Sequence, residues 1–187
     1  MKNVLIGGIG NVLLADDGIG PYVARLLAAR YTFPDGVEII DLGTPALDLI
    51  DQLSGRDAVI FIDSVDAGAE PGTVLTYQKV DIMRHHPAVR MDPHSPALVD
   101  ALLSAELFGV APDDVLLVGV NPGSLEPGCN LSKPVQASLD LVASSVLDEL
   151  DRLGVEYHPQ ENPAVVEVWW TSDSKVNYEA SVTSAGR

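Results

Sequence analysis

A short unbroken apolar run at residues 3–6 that stops on Gly7-Gly8-Ile9-Gly10 restricts this chain more than any other feature. An apolar segment this short reads as a strand covered on both faces, and clustered glycines supply the tight turn that follows it. Residues 19–31 then carry Val23, Leu26, Leu27 and Ala28 on a helical repeat, with Arg25 and Arg30 on other faces. Pro21 is compatible with that helix because it lies in the first turn, where no intrahelical N–H is required. A buried strand feeding a helix through a glycine turn is the opening unit of a parallel sheet.

The same alternation continues. Val37-Glu38-Ile39-Ile40-Asp41 reads as a second strand broken by Gly43, after which Thr44 and Pro45 supply an N-cap and a first-turn proline for a helix to about Leu53. Ala58-Val59-Ile60-Phe61-Ile62 is the most apolar strand and ends on Asp63. Residues 73–77, after Pro71-Gly72, are more polar and suit a sheet edge. Residues 81–92 read as a loop, 95–108 as a helix stopped by Gly109, 115–120 as a buried strand, and 133–153 as an amphipathic helix stopped by Gly154. The chain is therefore expected to be an α/β protein. Its architecture is a three-layer α/β/α sandwich around a mostly parallel twisted sheet of about five strands, with one antiparallel edge strand. Residues 1–158 form the expected domain. Residues 159–187 form a C-terminal extension in which Val165, Val166, Val168, Trp169 and Trp170 suit an added strand before a frayed end.

Composition narrows the function. The chain has 187 residues and a formal charge of −16, which argues against a nucleic-acid partner, because phosphates require Lys and Arg. No apolar run reaches the roughly 20 residues of a membrane-spanning helix, and the N-terminus lacks a signal-peptide core and cleavage site. A single cysteine, Cys129, excludes a disulfide framework. The expected location is the cytoplasm, without membrane insertion.

In open α/β sheets, ligands bind beyond the carboxyl ends of the strands, where strand order reverses. The reactive side chains that fall there are Asn11, Asp16 and Asp17 after the first strand, Asp41 after the second, Asp63, Ser64 and Asp66 after the third, and His94 before a later helix. Asp17, Asp63 and His94 would make a mixed oxygen and nitrogen set suited to a borderline divalent ion such as nickel or zinc, with a coordination position left open. Each also has a plainer explanation. Asp16 or Asp17 equally suits capping the following helix, and His94 equally suits stabilising a turn. Asp63 favours function, because a carboxylate ending a central strand is costly to bury without a partner. His85 and His86 read as solvated, and Cys129 has no sequence neighbour that would activate it. Gly8 and Gly10 match the first two glycines of a dinucleotide-binding turn, with Asp41 placed to meet a ribose. However, Leu13 stands at the third glycine position, and Asp16 and Asp17 put negative charge where a pyrophosphate would lie.

The segment Gly8-Ile9-Gly10-Asn11-Val12-Leu13-Leu14-Ala15-Asp16-Asp17-Gly18-Ile19-Gly20 resembles the opening motif of the hydrogenase maturation endopeptidases. Asp41-Leu42-Gly43-Thr44, Val59-Ile60-Phe61-Ile62-Asp63-Ser64-Val65, Asp92-Pro93-His94-Ser95, Leu117-Val118-Gly119-Val120 and Ser124-Leu125-Glu126-Pro127 resemble further segments of that family in the same order. The resemblance implies an endopeptidase that recognises nickel already inserted in the large-subunit precursor of a nickel-iron hydrogenase and removes its C-terminal extension. It implies that Asp17, Asp63 and His94 read the metal, and that zinc or cadmium would also suit the site. Asp16 is then a candidate proton carrier, and Thr44 a residue that shapes the cleft. Catalysis by a metal-polarised water and catalysis by a carboxylate base are both compatible with that set. Two other functions stand beside it: a nucleotide-binding α/β enzyme, and a non-catalytic chaperone for nickel or the precursor. The sequence departs from the family at Asn130, where glycine is common, in the His85-His86 loop, and in its longer tail. There Trp169 and Trp170 suit packing or precursor contact.

Overall fold

The computed structural model describes residues 2–45, 49–84, 95–164, 166, 168 and 170. Strand β1 (Val4–Ile9) is buried along its whole length, as an unbroken apolar run requires. A 3-10 turn (Ala15–Gly18) leads from it into helix α1 (Ile19–Arg30). The chain continues through β2 (Tyr31–Thr32), β3 (Val37–Gly43), α2 (Leu49–Leu53), β4 (Ala58–Ser64), β5 (Val74–Gln78) and α3 (Lys79–Arg84). It ends with α4 (Ser95–Phe108), β6 (Asp114–Val120), α5 (Lys133–Arg152) and β7 (His158–Pro159).

Five strands form one sheet in the order β3-β1-β4-β6-β5. β3, β1, β4 and β6 run parallel, and β5 closes one edge antiparallel to β6. This is the expected α/β sandwich with its polar strand at the edge. A two-residue ribbon joins β2 to β7 outside that sheet. Side chains alternate between two cores, as the strand period of two dictates. Val4, Ile6, Ile60, Ile62 and Val118 pack on one face with Val23 and Leu27 of α1 and Leu139 and Val146 of α5. Leu5, Val59, Phe61 and Val115 pack on the other with Leu53 of α2 and Leu98 and Leu102 of α4. Val166, Val168 and Trp170 are buried in the first of these cores, and Trp170 lies over the Arg25 guanidinium at 5.1 Å. No helix among the described residues is long and apolar enough to cross a membrane.

One helix was not expected from the sequence. Residues 79–84 form α3, which takes in the first four residues of the expected loop at 81–92. The Asp81 carboxylate accepts the Gln78 N–H at 3.2 Å, as one half of a capping box does, and Ile82 is buried in the second core. The sequence stretch is polar enough to hide that single anchor. α2 is described from Leu49, and residues 46–48, which join it to the expected cap at Thr44 and Pro45, lie outside the described residues. So do His85, His86, His94, Val165 and Trp169.

The decisive packing contact lies where α1 meets the sheet. A Cβ on Gly20 would stand 2.2 Å from the Ile9 carbonyl oxygen and 2.3 Å from that of Ile62. A Cβ on Gly8 would stand 2.3 Å from the Gly20 carbonyl oxygen. The start of α1 is thus laid backbone to backbone against the ends of β1 and β4. Those two strands flank the reversal of strand order, so the opening loop is forced over that crevice. Gly20→Ala is expected to lower stability by about 1–3 kcal/mol through backbone overpacking. Urea denaturation will show this as a reduced midpoint with an unchanged slope.

Candidate active site

Residues 10–18 form a tight loop over the crevice. The Asn11 side-chain oxygen accepts the Leu13 N–H at 3.0 Å, and its backbone oxygen accepts the Leu14 N–H at 3.0 Å. Ala15 donates its N–H to the Gly128 carbonyl at 2.7 Å, and Gly128 donates to the Leu13 carbonyl at 2.9 Å. The opening loop is therefore stitched to the loop that follows β6. Ala15 takes φ 46 to make the passage, a conformation an L-residue adopts only when its surroundings impose it.

Asp16 and Asp17 leave this turn in different directions. Asp16 is fully buried. Its Oδ2 accepts the N–H groups of Gly123 at 2.8 Å and Ser124 at 2.9 Å, and its Oδ1 accepts that of Ser132 at 2.6 Å. Three backbone donors on one carboxylate are charge-assisted hydrogen bonds, the stronger kind. They fix the loop between β6 and α5. Asp17, 4% exposed, turns toward the strand ends. Its Oδ2 accepts the Asn11 N–H at 2.8 Å and its Oδ1 accepts the Ser64 hydroxyl at 2.8 Å.

Asp63 and Ser64 are the last two residues of β4, and both are buried. The Asp63 Oδ1 accepts the Ser64 N–H at 2.8 Å. Ser64 therefore touches both carboxylates, one through its backbone and one through its side chain. The next loop is held by Asn121 at the end of β6. Its side-chain oxygen accepts the N–H groups of Ala67 at 2.9 Å and Ala69 at 3.2 Å, and its amide donates to the Ala69 carbonyl at 2.8 Å.

The structure thus gathers Asp17 and Asp63 around one serine at the strand-order reversal. Among the described residues no set of three metal-ligating side chains comes together, and His94 lies outside them. Asp41 stands apart, exposed at the end of β3, with the Arg25 guanidinium 4.0 Å away. Thr44 is exposed just beyond it. Cys129 is a half-buried free thiol packed on the first core. The glycines of the opening turn are used by the chain itself. A Cβ on Gly10, at φ +135, would fall 1.7 Å from the Asp17 carbonyl oxygen. The Asn11 N–H, which a dinucleotide phosphate would need, is taken by the Asp17 carboxylate.

A family model described as hydrogenase maturation protease matches residues 21–149. The chain belongs to the hydrogenase maturation protease family. The protease is 40% identical over 163 residues to the hydrogenase expression/formation protein HupM of Azotobacter chroococcum mcd 1, covering 87% of this chain and 78% of that one. It is 35% identical over 162 residues to the hydrogenase 2 maturation protease of Escherichia coli strain K12, covering 84% and 96%. Its fold superposes on the Escherichia coli hydrogenase maturating endopeptidase HybD with a TM-score of 0.79 at 34% identity, covering 86% of this chain and 98% of that one. The protein is accordingly a peptidase, as its ordered motifs imply.

Two residues of this site escaped the sequence reading. Ser64 was visible beside Asp63, but nothing in its spacing shows that it reaches Asp17. Asn121 stands in Asn121-Pro122-Gly123, a turn-forming sequence that carries no sign of a loop anchor. The adjacent pair Asp16-Asp17 gave no signal of divided labour, since both suit a helix start. Removing the Asp16 anchor leaves three backbone N–H groups without their acceptor. Asp16→Ala is expected to cost at least about 2 kcal/mol, read by thermal unfolding, and to speed limited proteolysis within residues 122–132.

Proposed function

We propose that this protease recognises nickel in the large-subunit precursor of a nickel-iron hydrogenase and removes the precursor's C-terminal extension, in the cytoplasm. The observation that carries this reading is the pair of buried carboxylates, Asp17 and Asp63, held around Ser64 at the carboxyl ends of β1 and β4. Oxygen donors in a crevice suit a divalent ion, and a histidine as third donor suits nickel. His94, one residue before α4, supplies that donor in this proposal. Zinc and cadmium would be accepted by the same atoms.

The nickel belongs to the substrate. When bound, it supplies Lewis-acid polarisation beside the scissile bond. The chain's own residues orient and transfer protons. Asp17, Asp63 and His94 grip the precursor so that its scissile segment lies across the crevice, and this positioning lowers the entropic part of the barrier. One of the two carboxylates, fixed by backbone donors, accepts the proton of the water that attacks the scissile carbonyl and passes it to the amine nitrogen as the C–N bond breaks. Asp16 acts as an anchor for the loop after β6, which forms one wall of the crevice.

The test is cleavage of purified precursor followed by intact-mass measurement. Nickel-loaded precursor is expected to lose a C-terminal peptide, and nickel-free precursor to keep its mass. Asp17→Asn and Asp63→Asn are each expected to lower kcat/KM by about 100-fold or more. Equal cleavage of nickel-free precursor would remove metal recognition. Binding without any change of mass would make the protein a chaperone instead.

A further inference from the structure

We propose that Ser64 is a positioning residue that sets the Asp17 carboxylate relative to Asp63. The inference rests on the reading of those two residues as a metal grip. β4 lies between β1 and β6, and Ser64 is registered against Val120 of β6. The following residue continues the pairing, with the Val65 N–H donated to the Val120 carbonyl at 2.9 Å. The Ser64 backbone is therefore held in register by β6. Strand alternation puts its side chain on the same face as Ile60 and Ile62, the face covered by α1. The 3-10 turn that begins α1 brings Asp17 onto that face, and the hydroxyl meets Asp17 Oδ1 at 2.8 Å.

The consequence concerns rotation. Asp17 Oδ2 is held by the Asn11 N–H and Oδ1 by the Ser64 hydroxyl, so both ends of the carboxylate are tied to different elements. With the hydroxyl removed, Oδ1 loses its tie to β4 and the carboxylate is oriented less firmly. Asp63 is affected less, because its Ser64 partner is a backbone N–H that every substitution keeps. Ser64 is only 2% exposed, so its hydroxyl is seated against Asp17 and does not face solvent. A hydrogen-bond partner that orients a ligating carboxylate is commonly worth about 10- to 100-fold in metal affinity or activity.

The experiment measures Ni2+ binding to the full chain by titration calorimetry, with precursor cleavage assayed in parallel. Ser64→Ala is expected to weaken Ni2+ binding and lower kcat/KM by about 10-fold each, while Ser64→Thr, which keeps the hydroxyl, restores both to within about threefold of wild type. The Asp17→Asn background separates positioning from mere packing: there, Ser64→Ala is expected to change Ni2+ affinity no further. The full Ser64→Ala effect in both backgrounds would overturn the proposal, and so would Ser64→Ala binding Ni2+ as tightly as wild type. If the wild-type protein itself bound no Ni2+, the reading of Asp17 and Asp63 as a metal grip would fall, and this inference with it.

Discussion

Everything at the crevice depends on the near contact between the first turn of α1 and the ends of β1 and β4. Gly8 and Gly20 allow two backbones to meet where any side chain would collide with a carbonyl oxygen. That contact leaves only a short loop to span from the end of β1 back to the start of α1. The loop is tight enough to hold Ala15 at a positive φ. Its carboxylates are consequently delivered at the rim of the sheet and not into solvent. A dinucleotide-binding turn uses glycines to make room for a ligand, whereas here the glycines make room for the chain.

Neighbouring aspartates in one turn do unlike work because a 3-10 turn separates successive side chains by about a third of a revolution. Asp16 faces the segment after β6 and Asp17 faces β4. Burying two carboxylates side by side is costly, and the protein offsets part of that cost with directed hydrogen bonds. Backbone amides supply Asp16, while an amide and a hydroxyl supply Asp17. Asp63 is served by the amide that follows it. Donors drawn largely from the backbone cannot be lost by side-chain movement, so these hydrogen bonds hold the geometry of the acidic groups.

Most of the fold was legible because the apolar runs are short, continuous and closed by glycine or aspartate. The four parallel strands carried that signature, the edge strand was marked by its polarity, and the long helices by their repeat and closing glycines. What escaped was short or tertiary in origin. α3 has one buried anchor, Ile82, and β2 and β7 are two residues each, below the length at which periodicity can be read. At the site, Asp17 and Asp63 were legible as residue types at strand ends. Their shared serine was not, because the contact between Ser64 and Asp17 spans 47 positions. Nor was the anchoring of a distant loop by Asp16, which depends on amides more than a hundred positions downstream.

That long reach of Asp16 bears on how the protein is made. Residues 16 and 132 must both have emerged from the ribosome before the loop can close on its carboxylate, so the opening motif waits for more than a hundred further residues without its partners. Contacts this distant in sequence also slow folding, since the intervening chain must be ordered before they form. A nascent chain therefore carries its acidic loop in an unassembled form until Gly123, Ser124 and Ser132 have been made.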